Sequence, residues 1–161
     1  MTTVLSLGSQ VGSILGLLAV VLLPGLIAAV LWSPFLLASR IQSLFASLPP
    51  RESTLVTYTV AAVGASLPFW LGSLAAIVGT EGASGAVMAN AILDVIVPLA
   101  VVYVVGFPTI AIVVLPRVGV DWDPTGYGTG TWALLLVGGG WYAAMFAVPL
   151  FLVAVVLALP M

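Results

Sequence analysis

Asp94 is the only acidic or basic side chain between Ala86 and Leu115, inside a run of apolar and small residues. Asn90 lies one helical turn before it and Pro98 one turn after, so a helix here puts Ala86, Asn90, Asp94 and Pro98 on one face. Pro98 has no amide hydrogen, which leaves the Asp94 carbonyl without its intrahelical donor. A carboxylate, an amide and a free carbonyl within two turns could bind a proton or a cation. The same groups could instead hydrogen-bond a neighbouring helix and hold two helices together. Ten residues into its span, Asp94 is expected near the middle of a bilayer core about 30 Å thick. An unpaired ionised carboxylate there costs at least about 2.5 kcal/mol. Asp94 is therefore expected to face the protein interior and to carry a proton. No second acid or base is embedded in the apolar stretches, which weighs toward the interhelical role.

The remaining chemistry is narrow. Cysteine and histidine are both absent, removing thiolate nucleophiles, disulfides, the usual zinc sites and the common proton shuttle of neutral pH. No cofactor or metal site is implied. Lysine is absent too, so Arg40, Arg51 and Arg117 supply all the positive side-chain charge. Three cations cannot neutralise a run of phosphates, and nucleic acid is not an expected partner. An acidic, lysine-free chain of this kind resembles membrane proteins of extreme halophiles in composition.

Three short motifs look chemical and lack what their chemistry needs. GASG at 82–85 resembles the serine motif of rhomboid proteases, whose serine needs a histidine base. DWDPT at 121–125 resembles the aspartate motif of haloacid-dehalogenase-type phosphatases, and also the start of an EF-hand loop. The first needs a soluble α/β domain, and the second an acidic residue where Trp132 stands. TGYG at 125–128 resembles a potassium-channel filter without its valine or pore helix. The plain readings are Ser84 as a helix N-cap, Asp123–Pro124 as the start of a tight turn, and Trp122 and Trp132 as interface anchors.

The elements that must position these residues follow from hydropathy. Of the 161 residues 63% are hydrophobic and 5% charged, with a mean hydropathy of +1.34, against about 25% charged in soluble domains. Four stretches reach the roughly 20 apolar residues that cross a bilayer: about 8–32, 54–78, 85–112 and 131–159. The first lacks a basic leader and a cleavage signal and is expected to be a span. Breaks rich in turn formers fall at 47–53, 79–85 and 116–130. After the first span, Ser33 and Pro34 can start a further helix to about residue 48. Leu37, Ile41, Leu44, Phe45 and Leu48 form one face of it, Arg40, Ser43 and Ser47 another, and Pro49 and Pro50 end it. The alternative is that span one runs on to about residue 38. The expected fold is thus an all-α, single-domain integral membrane bundle (1–161) of four transmembrane helices plus a short interfacial amphipathic helix over about 34–48.

All three arginines fall in the two connections that share one side of a four-span chain. The positive-inside rule then puts those loops in the cytoplasm and both termini outside the cell membrane. Small residues suggest where helices approach closely: Gly8, Gly12 and Gly16 in span one, and Gly64, Pro68, Gly72 and Ala76 in span two. Gly138–Gly140 offer the same in span four. Mid-span prolines at 24, 68, 98, 108 and 149 free carbonyls one turn back, a feature shared by ion-binding transporters and ordinary membrane helices.

Two functions remain open. The chain is expected to be a non-enzymatic structural or accessory subunit whose partners are the lipid bilayer and other membrane helices, in a homo- or hetero-oligomer. The alternative is a small transporter or channel with a proton or cation site at Asp94 and Asn90. An enzyme is disfavoured because paired acid–base groups are missing.

Overall fold

A computed structural model describes residues 2–50 and 53–159, with side-chain surroundings from Gly12 onward except at 14 and 17. All of its regular structure is helical. We number the helices α1 (Thr2–Trp32), α2 (Ser39–Ser47), α3 (Thr54–Gly79), α4 (Gly85–Arg117) and α5 (Thr129–Ala158). Four helical stretches, Leu18–Leu37, Thr54–Gly79, Gly85–Arg117 and Thr129–Ala158, are long and apolar enough to cross a membrane. The third runs past the expected limit at 112, because Pro116 falls in the first turn of a terminal helical segment that tolerates it.

The four long helices run alternately up and down. Gly25 of α1 lies against Val63 and Ser66 of α3, and Gly72 of α3 lies under Val95 of α4. Gly85 meets the Leu157 backbone at one end of the α4–α5 pair, while Gly139 meets the Tyr103 backbone further along. A Cβ on Gly139 would sit 2.6 Å from the Tyr103 carbonyl oxygen, so only glycine lets the backbones come this close.

Prolines 24, 68 and 149 are absorbed within continuous helices. Pro108 is different: π-helical turns over Val102–Gly106 and Ile110–Val114 flank it, so α4 changes register on both sides of its buried ring.

Ser33–Leu37 forms a 3-10 turn and α2 begins only at Ser39. The Ser33 hydroxyl donates back to the Val30 carbonyl instead of capping a new helix. This shortens the amphipathic helix expected from residue 34 and changes its covering. Ile41, Leu44 and Phe45 are buried against the chain itself, whereas Leu37, expected on that face, is 86% exposed. The apolar face of α2 thus closes one end of the bundle.

Candidate functional site

Asn90 and Asp94 do share a face with Ala86 and Pro98, as their spacing requires, but that face is exposed. The inward positions of α4 are taken by Ala89, Ile92 and Ile96. Helix rotation is set by the bulk of those apolar side chains against α3 and α5, and the polar residues a third of a turn away are carried outward. The expected interior placement of Asp94 is therefore corrected. Val95 sits over Gly72, which puts Asp94 about 10 Å in from the Gly79 end of α3 and about 13 Å in from the Gly85 end of its own helix.

The glycines divide in the same way. Gly12, Gly16 and Gly64 have open space where a Cβ would stand, while Gly72 meets Val95 at 2.6 Å. Packing at Gly8 lies outside the described residues. Among the described residues Gly72, Gly138 and Gly139 of the expected positions serve contacts within the chain, and Gly25 and Gly85 provide further close approaches that were not expected.

Two polar constructions hold the bundle together, and neither was apparent in the sequence. The first is a ring of aromatic donors to carbonyls of neighbouring helices. Trp32 of α1 donates its indole N–H to the Gly138 carbonyl of α5 at 2.9 Å. Tyr142 of α5 donates to Ala62 of α3, Tyr58 of α3 to Ala29 of α1, and Tyr103 of α4 to Ala65 of α3. Each ring contributes a large apolar contact and spends its one donor across a helix boundary, where no water competes. Trp32 and Tyr58 stack with centroids 5.5 Å apart, and Tyr103 and Tyr142 at 5.7 Å. The signal available in the sequence was the mid-span placement of Tyr103 and Tyr142; Trp32 and Tyr58 stand near helix ends and carried no such signal.

The second is a polar latch at the end closed by α2. The Asp123 carboxylate accepts from the Thr125 amide at 3.0 Å, the Thr125 hydroxyl at 2.6 Å and the Thr131 hydroxyl at 2.7 Å. Arg40 of α2 donates to Thr131 at 3.0 Å, and its Nε lies 3.8 Å from Asp123 Oδ2. Burial alone would raise the Asp123 pKa. The hydroxyl and amide donors, with Arg40 beside them, outweigh it and hold the carboxyl below its ordinary 3.8. Asp123 starts its turn as expected. Trp122 is no interface anchor: its ring is buried and its N–H donates to the Ala111 carbonyl at 2.6 Å. Tyr127 donates to Asp121 at 2.6 Å, and its pKa is raised by burial and by that carboxylate. Because Arg40 and Asp123 meet, the α1–α3 and α4–α5 connections lie at the same end of the bundle.

With these surroundings in view, the sequence matches one family model, a domain of unknown function (DUF8162), over residues 12–161. The chain belongs to that family. The match spans all four long helices, so the DUF8162 domain takes in both polar constructions and the outward face of α4. No curated protein and no solved structure matches the chain.

Proposed function

We propose that this DUF8162 chain is a multi-pass protein of the cell membrane, acting as a non-enzymatic structural or accessory subunit that packs against other membrane helices. In this reading the Arg40, Arg51 and Arg117 connections are cytoplasmic and both termini lie outside. The observation that carries it is the exposure of Asn90 and Asp94 on the outer face of α4. A carboxylic acid and an amide turned toward hydrocarbon are costly, and a partner helix that hydrogen-bonds them removes the cost. The open faces at Gly12, Gly16 and Gly64 offer further places for close helix approach.

Transport through a single bundle loses its motivating residues, because Asp94 and Asn90 do not line the space between the four helices. The hydrogen-bonded aromatics Trp32, Tyr103 and Tyr142 line that space instead, around an apolar cavity of about 260 Å³. Extraction in mild detergent followed by mass measurement tests the subunit reading. A complex heavier than the 16.5 kDa chain is expected, with its mass reduced by Asp94→Leu and retained by Asp94→Asn. A lone chain of 16.5 kDa, with a mass that Asp94→Leu leaves unchanged, would overturn it.

A further inference from the structure

A cavity of about 250 Å³ lies between α1, α3 and α5, lined by Pro24, Ala28, Phe69, Ser73, Phe146 and Pro149 among others. It opens sideways, since Ile27 and Leu31 at its edge are exposed on the outer surface. Helices α1 and α5 are pinned together at one level, where Trp32 bonds Gly138 and Trp141 approaches Leu31. Beyond that level the gap between them stays open.

Ser73 gives this cavity a chemical identity. It is 3% exposed, and its hydroxyl is the buried side-chain polar atom without a hydrogen-bond partner among the described residues. A helical serine or threonine has a ready alternative, which is to donate to the carbonyl three or four residues back. Thr59, Ser66, Thr80 and Thr109 all do so. Ser73 does not. An unpaired buried hydroxyl is costly, so a donor left open beside an apolar cavity points to an acceptor supplied from outside the chain.

The shape narrows the class. Gly25 lies level with Val63 and Ser66, which places Pro24 about 11 Å and Ala28 about 17 Å from Ser73 along the α3 axis. The cavity is therefore elongated, with the Ser73 hydroxyl toward the Gly79 end and the Trp70 indole also in its wall. Its volume falls below the roughly 300–1,000 Å³ of ordinary small-molecule pockets, enough for one chain and not for a bulky ring system. We propose that it takes a single alkyl or prenyl chain of a membrane amphiphile, whose head oxygen accepts a hydrogen bond from Ser73. The tail then runs toward Pro24 and Ala28, in the direction that lipid chains run from a membrane surface. This rests on the chain lying in a bilayer, which alkaline carbonate extraction of the same membranes tests on its own.

The test uses the full chain in lipid nanodiscs and two photoactivatable probes. One is a long-chain alcohol with a mid-chain diazirine, the other the matching hydrocarbon without oxygen. Labels are mapped by peptide mass and scored relative to labelling at Val137, an exposed residue outside the cavity. The alcohol should label Ile27, Ala28 or Phe146 about 2–10 times more than the hydrocarbon does, the ratio one hydrogen bond supports. Ser73→Ala should abolish that preference and leave the thermal midpoint unchanged or higher. Even labelling across exposed residues, or a preference that survives Ser73→Ala, would overturn the assignment. A clear fall in thermal midpoint for Ser73→Ala would also overturn it, since the hydroxyl would then serve the fold.

Discussion

Asp94 and Asp123 are both carboxylates in a chain with very little charge, and their settings separate their roles. Asp123 is surrounded by donors, so it works for the fold of its own chain. Its folded pKa is depressed, so the stability it contributes is complete above the ordinary carboxyl value and is lost as pH falls through the lower, folded value. Asp123→Asn should lower stability by about 2 kcal/mol and flatten the acid limb of a melting-temperature profile below about pH 4. An unchanged acid limb would mean that the latch does not hold in solution. Asp94 has no such shell. Asp94→Leu should leave the melting temperature of the isolated chain unchanged while weakening association about 3–10-fold, the worth of one interhelical hydrogen bond. Asp94→Asn should preserve both. Density-matched sedimentation in detergent reads the association.

At the scale of the helices, the glycines make opposite predictions according to what faces them. Gly139→Leu should drive α4 and α5 apart at the Tyr103 carbonyl and cost about 1–3 kcal/mol or more in thermal stability. Gly12→Leu and Gly16→Leu meet open space within the chain, so any loss they cause should appear in assembly and not in the melting of the isolated chain. Equal melting temperatures for Gly139→Leu and Gly12→Leu would contradict the packing described here. The four long helices were legible in the sequence because a long apolar run needs no knowledge of its neighbours. Which side of each helix turns inward was not. The Asn90–Asp94 stripe and the Ala89–Ile92–Ile96 stripe share one helix, and tertiary packing chose the bulkier one. The Arg40–Asp123–Thr131 latch joins residues more than eighty positions apart, with no spacing rule to announce it. Asp123 itself was legible only as a turn former.

For the whole molecule, the latch puts the connections that carry Arg40 and Arg117 at one end, the end that the proposed orientation places in the cytoplasm. Cysteines introduced at Ser47, Ser84 and Thr125 of this cysteine-free chain test this with an impermeant reagent on intact cells. Only the cysteine at position 84 should react; reaction at 47 or 125 instead would invert the orientation. In the proposed reading the bundle is complete within itself and its exposed polar stripe is covered by another helix. The aromatic ring, the α2 cap and the latch supply the completeness, and Asn90 with Asp94 supplies the stripe. A photocrosslinking amino acid at Val97, exposed one turn from Asp94, probes that stripe in native membranes, with the exposed Val137 of α5 as reference. Crosslinks from position 97 should join protein to protein and disappear with Asp94→Leu, while position 137 should label mainly lipid. Lipid adducts alone from position 97 would contradict the account.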